Sequence, residues 1–297
     1  MEPFDILKKY FEGLYPNKFN YFVSLFDHLY SNRDNLNEKI EFSFLLNQIH
    51  DLSMRIGLFK IYDAVSIKNF FKKNKLSLSR LEKSLEIIED ITPELGIGFD
   101  WSQYDNRVKV YFLKLPDSPN FKQVIEQKVN NLAKEMKIES HKLGLIDMKK
   151  SYLISVDFYS NGKNNLKIYT RQTEVRFNEL INQMKKNKIN SKFLPFFIDQ
   201  FSENEFKDIT FCYKFSNDSA NLKGFAMFLE LEDNLNKKVE ALIKEAVPEK
   251  YFPFKEAIKP LTVNTSLKYS HLGTTFSYEP NLESITAYFS PVFRGVK

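Results

Sequence analysis

Residues 155–171, SVDFYSNGKNNLKIYTR, leave little choice of local structure. Two runs rich in β-branched and aromatic residues flank Ser-Asn-Gly-Lys-Asn-Asn, whose glycine and asparagines tolerate positive φ, so the stretch reads as a β-hairpin. Its second strand alternates strictly, with Leu166, Ile168 and Thr170 on one face and Lys167, Tyr169 and Arg171 on the other. Alone, that is the ordinary pattern of a half-exposed sheet. The layout recurs, however. Residues 98–112 place Lys109 and Tyr111 where Lys167 and Tyr169 fall, and residues 209–231 carry Lys223 at the opening of a second strand. Residues 271–289 end on Thr286 and Tyr288, while 39–46 with 58–63 form a fifth pair in which Lys60 and Tyr62 are again two apart. Successive hairpins begin about 55–60 residues apart, the spacing of a repeated supersecondary unit.

Between the hairpins the apolar period changes from 2 to about 3.6. Leu81, Leu85 and Ile88 share a face over 78–89, as do Phe121, Val124, Ile125, Val129 and Leu132 over 118–136, which opens Ser-Pro. Residues 173–187 and 233–246 carry similar stripes. Hairpins joined by helices of this length predict an α+β fold with the helices on one sheet face. Ten strands favour curling and closure, so the expectation is a closed ten-stranded antiparallel β-barrel ringed by α-helices. The Leu/Ile/Val side of each strand then meets the helices, and the Lys/Tyr/Arg side lines an interior chamber.

Five αββα-type units around such a barrel resemble the aromatic prenyltransferases of the ABBA, or PT-barrel, fold. The similarity lies in residues 156–169 (VDFYSNGKNNLKIY), 96–112 (GIGFDWSQYDNRVKVYF), 59–71 (FKIYDAVSIKNFF) and 271–289 (HLGTTFSYEPNLESITAYF), and is greatest to the cyanobactin-type peptide prenyltransferases. It covers most of residues 38–290, as a pattern of strands and turns without a signature peptide. The resemblance implies a soluble enzyme moving a dimethylallyl or geranyl group from its diphosphate to an electron-rich acceptor. That acceptor would be a side chain of a (cyclic) peptide, or a small phenol or indole. Two positions depart from the peptide enzymes: Leu113 stands where they tend to have Arg, and Arg171 where they often carry Glu.

Such chemistry needs converging cations and hydroxyls for the diphosphate, and aromatic walls for the allylic cation. Lys109, Lys167, Arg171 and Lys223 supply the first from neighbouring hairpins, with Lys60 as a further member. Tyr111, Tyr169 and Tyr288 lie on the same alternating face. In PT-barrel enzymes Lys, Arg and Tyr at inward strand positions bind the diphosphate, and Lys109, Lys167, Tyr169, Lys223 and Tyr288 match such positions. Glu41 shares a face with Lys39 and Ser43, where a carboxylate could orient the acceptor or take its proton. Asp100 and Asp157 read as turn formers that close their strands, and His271 as structural. No residue set demands a cofactor; a magnesium ion on the diphosphate is compatible with the pattern, and the four histidines have no metal spacing.

The remaining features bound the alternatives. No dinucleotide loop, Asp-Asp-x-x-Asp pair or nucleophile-elbow motif is present. No run reaches 18 apolar residues and the N-terminus is not a signal peptide, so the expectation is a cytoplasmic protein without a membrane span. The one cysteine, Cys212, excludes an internal disulfide. The chain of 297 residues shows no linker and is expected to be a single domain and a monomer, with N-terminal helices over 1–37, barrel repeats over 38–290 and a tail at 291–297. Interleaved basic and aromatic residues also admit a non-catalytic barrel for an anionic ligand or single-stranded nucleic acid. That reading places them on an outer face or groove, whereas the alternation encloses them.

Overall fold

The computed structural model describes residues 9–10, 12–13, 40–46, 53–62, 64–73, 76, 78–88, 95–101, 106–112, 119–138, 143, 146–159, 162–173, 176–186, 193–216, 224–232, 234–262, 265–276 and 284–293. Ten strands occur among them: β1 (Ile40–Leu46), β2 (Ser53–Tyr62), β3 (Leu95–Trp101), β4 (Asn106–Phe112), β5 (Ser151–Tyr159), β6 (Asn164–Gln172), β7 (Phe206–Ser216), β8 (Gly224–Leu231), β9 (Thr265–Phe276) and β10 (Ser284–Phe293). Each pairs antiparallel with its neighbours in sequence, and β1 pairs with β10 as well as with β2, which closes the ring. The longer helices among the described residues are α1 (Ala64–Lys73), α2 (Leu78–Ile88), α3 (Pro119–Glu135), α4 (Phe177–Lys186), α5 (Leu194–Gln200), α6 (Asn236–Ala246) and α7 (Pro248–Thr262).

The alternation read from the sequence sorts the residues into two separate apolar groups. Ile154, Val156, Phe158, Leu166 and Ile168 join the large core that also takes in Phe70, Phe71, Leu85, Val129, Leu242 and Phe254 from the helices. Tyr169, Cys212 and Ala226 form a second, small group on the opposite sheet face, with Phe228 against it. Aromatic contacts fasten helices to strands: Phe71 of α1 meets Phe158 edge-on at 5.1 Å, and Phe254 of α7 meets Phe44 at 5.6 Å. The closing seam is aromatic too, since Phe289 of β10 stacks on both Phe42 and Phe44 of β1. Tyr10 sits edge-on to Phe42, so its short helical segment packs on the outside of that seam.

Two bulges re-aim side chains. A register shift between Ser151 and Leu153 puts Tyr152 with the inner group, where its hydroxyl meets that of Thr210 at 2.9 Å. Another shift, between Tyr288 and Phe289 of β10, leaves Ser270 as the extra residue of β9, and there Ser270 and His271 both reach Glu41. The β5–β6 turn has its glycine, Gly162, at φ 81°, as the hairpin reading requires. Asp157 does not close its strand: β5 runs on to Tyr159, and Asp157 lies inside the ladder. Of the expected N-terminal helices only residues 9–10 and 12–13 are described, and Asp100's side chain, Lys223 and the tail beyond residue 293 lie outside the described residues.

Candidate active site

The inner face of β4–β7 holds a cationic cluster built on the alternation of the hairpins. Lys109 lies across the ladder from Asp157, and Lys167 lies across from Ser155 on one side and Lys214 on the other. Arg107 comes from the position two before Lys109. Asp157 Oδ2 accepts from Arg107 at 2.9 Å and faces Lys167 Nζ at 2.8 Å. Its side chain is 0% exposed, and Oδ1 has no hydrogen-bond partner among the described residues. Burial alone would raise the Asp157 pKa. Arg107, Lys167, Lys109 and Lys214 outweigh it and hold the carboxyl far below the usual range. Isolated, such a buried charge would cost several kcal/mol, and the two short contacts are what make it tenable.

Hydroxyls and rings complete the cluster. Tyr111 Oη accepts from Lys109 Nζ at 3.2 Å, with that amine 5.0 Å from the ring centroid. The ring lies over Gly98, where a Cβ would come within 3.0 Å of Tyr111 Cε2, so the absence of a side chain there is what lets the tyrosine reach inward. Tyr159 Oη accepts from Asn165 Nδ2 at 2.7 Å and from Arg107 at 3.3 Å. Burial pushes the Tyr169 hydroxyl well above its ordinary value, which keeps it a neutral donor.

A second group occupies β1 and β6–β10. Tyr169 stacks on Phe228 at 6.5 Å, Phe228 meets Tyr288 edge-on at 5.4 Å, and Tyr288 meets His271 at 6.1 Å. Gly273 makes room for this wall: a Cβ there would lie 2.5 Å from Phe228 Cδ1. Glu41 Oε2 accepts from Ser270 Oγ at 2.9 Å and is 3.5 Å from His271 Nδ1. Burial disfavours the imidazolium, but Glu41, with Glu230 and Asp208 behind it, raises the His271 pKa overall. Glu230 is itself raised by burial and by Asp208. Phe228, Tyr288, His271, Lys109 and Tyr111 all remain half-buried on this inner face.

The sequence-predicted residues therefore divide. Lys109, Tyr111, Lys167 and Tyr169 come together around Asp157, while Tyr288 and Glu41 lie with His271 in the aromatic and carboxylate group. Arg171 is engaged elsewhere: its Nε donates to Asp208 Oδ2 at 2.6 Å and its guanidinium also pairs with Glu230. Four residues along a strand separate it from Lys167 by about 13 Å. Lys60 is in β2, but its side chain, like Lys223, is outside the described residues. Arg107 and Lys214 were not expected, although Arg107-x-Lys109-x-Tyr111 and Cys212-x-Lys214 carry the same two-residue period. Among the described residues no grouping of His, Cys, Asp and Glu could hold a metal ion, and no helix is long and apolar enough to cross a membrane.

No protein-family model and no curated protein matches the chain. Solved structures do. The 5-dimethylallyl tryptophan synthase from Streptomyces coelicolor, in complex with DMASPP and Trp, is similar with TM-score 0.71 at 12% identity, over 98% of this chain and 94% of that one. The prenyltransferase PriB, in ternary complex with L-tryptophan and dimethylallyl thiolodiphosphate, has TM-score 0.69 at 12% identity over 98% of each chain. The 6-dimethylallyltryptophan synthase from Micromonospora olivasterospora gives 0.63 at 14% identity, over 85% of this chain and 81% of that one. The fold is that of these prenyltransferases. At such identities the likeness is one of architecture, and it agrees with the ABBA resemblance seen in the hairpins; the cyanobactin-type subfamily is not among these structures.

Proposed function

We propose that the protein transfers a prenyl group from its diphosphate to an electron-rich aromatic acceptor inside the barrel. The observation that carries this is the juxtaposition on one inner face of the Arg107–Lys109–Lys167–Lys214 cluster and the Tyr169–Phe228–Tyr288 wall. A prenyl diphosphate brings roughly three negative charges and an apolar tail, and matches that pairing of surfaces. Ionisation leaves the diphosphate with the cations and the allylic cation against aromatic faces, each worth about 1–2 kcal/mol when desolvated. The acceptor attacks from the side of Glu41 and His271, whose dyad takes the proton released on substitution. Arg171, held by Asp208 and Glu230, shapes that side and is not counted among the diphosphate ligands.

The similar enzymes were solved with tryptophan and a dimethylallyl diphosphate analogue, which supports a dimethylallyl donor and an aromatic ring as acceptor. The peptide side chain expected from the cyanobactin resemblance remains part of the proposal, with the free amino acid as its competitor. Nucleic-acid binding fits less well, because Lys167 and Tyr169 are buried on the inner face. Incubation with dimethylallyl or geranyl diphosphate and either L-tryptophan, L-tyrosine or a cyclic peptide containing both, read by product mass, tests the reading. A prenyl adduct with one acceptor, abolished in Lys167→Ala, is the expected result. Absence of adducts together with no binding of dimethylallyl thiolodiphosphate refutes it.

A further inference from the structure

This inference rests on the diphosphate site proposed above and concerns the proton on Lys167. Its side chain is only 9% exposed and its amine faces a single Asp157 oxygen, which it shares with Arg107. Lys214 stands directly across the β6–β7 ladder, and Lys109 stands across the β4–β5 ladder from Asp157. A guanidinium keeps its proton under all ordinary conditions, whereas a buried ammonium releases its own readily. Lys109 and Lys214 are half-buried, so Lys167, the buried lysine of the three, is the one that yields. We propose that Lys167 is the proton carrier of this site, taking up a proton as a prenyl diphosphate binds and passing it to the diphosphate as the carbon–oxygen bond breaks.

The groups that face Lys167 act in both directions. Burial lowers its pKa most, Asp157 on β5 opposes this, Lys109 and Arg107 on β4 lower it further, and Cys212 on β7 raises it slightly, leaving it at about 7. The empty protein near neutral pH thus holds the amine in both forms. Negative charge arriving beside it favours the ammonium. When the bond from the prenyl carbon to oxygen breaks, both electrons stay on oxygen, and the Nζ proton passes to a diphosphate oxygen. Lys167 is again neutral, the singly protonated diphosphate leaves, and the acceptor's ring proton goes to the Glu41–His271 dyad and from there to solvent. One proton is taken up on binding and one released on substitution, so charge and atoms balance over the cycle. Asp157 is the positioning residue, fixing the amine beside Arg107.

Binding of dimethylallyl thiolodiphosphate, which does not ionise, isolates the first half of this cycle. Titration calorimetry at pH 6 and pH 8, in buffers of different ionisation enthalpy, reads the protons exchanged. The expected result is uptake of most of one proton at pH 8 and little at pH 6. Affinity should fall roughly tenfold per pH unit above 7. Lys167→Arg, permanently charged, should bind with no uptake and with affinity flat from pH 7 to 8.5. Binding at pH 8 without uptake overturns the proposal and leaves the diphosphate site standing. The same uptake in Lys167→Arg also overturns it, by placing the proton elsewhere. Absence of binding at every pH removes the site itself and the proposal with it. Should Lys167→Arg fail to fold, the wild-type buffer series decides alone.

Discussion

Asp157 shows how far one residue can depart from its local sequence. In sequence it stands three residues before Ser-Asn-Gly and looks like a turn former; in the fold it is a fully buried counter-ion for Arg107 and Lys167. Only the register of β4 against β5 brings Arg107 and Lys109 to it, and register across separate hairpins is not written in either one. Asp157→Asn leaves both cations without their carboxylate and should cost about 3–5 kcal/mol in denaturant unfolding. The sign with pH is definite. A carboxyl depressed in the native state contributes stability above the unfolded value near 3.9, and that contribution is lost as pH falls below it. The gap between the mutant and wild-type curves should therefore begin to narrow below about pH 4 and still be narrowing at the lowest pH reached. His271 has the opposite sign. Its raised pKa gives stability that is full below about 6.5 and lost as pH rises through the native value. Glu41→Gln should lower the His271 titration midpoint seen by NMR, and destabilise the protein at pH 5.5 more than at pH 8.

At the scale of elements, what could be read depended on what carried the signal. The five hairpins and helices α2, α3, α4 and α6 announce themselves by period, and the sheet's two faces follow from alternation alone. Helices α5 and α7 do not: Pro195 opens one, and Pro253 and Pro260 lie inside the other, where proline normally ends a helix. Tertiary burial of Phe254, Ala257, Ile258 and Leu261 holds α7 together in spite of them. The inner aromatic wall depends on a second kind of hidden information, the glycine opposite a ring. Gly273→Ala forces Phe228 from its place, since neither the strand nor the ring can yield 1 Å cheaply. The expected cost is about 1–3 kcal/mol by thermal unfolding. Under the proposed function, prenyl transfer should fall while thiolodiphosphate binding holds, because the cation cluster lies on other strands.

For the molecule as a whole, the ring was foreseeable from ten strands of one repeated unit, but its seam was not. Nothing in the sequence says that Phe42 and Phe44 meet Phe289, more than 240 residues away. Phe289→Ala should cost about 3–5 kcal/mol. If the seam and the core form one cooperative unit, unfolding of that variant stays a single transition by fluorescence and circular dichroism alike. Among the described residues all other strand pairings link neighbours in sequence, so this junction bears the long-range part of the sheet topology.

That junction has a bearing on biosynthesis. A ribosome making the chain releases β1 first and β10 last, and until β10 emerges the nascent sheet has two raw edges and no inside. Lys167 and Asp157 are by then already made, yet they face water, and in water a lysine is an ordinary surface base. The chemistry assigned to them begins only when the final strand shuts the wall, so a half-made copy of this protein carries the residues of its proposed reaction without the means to perform it.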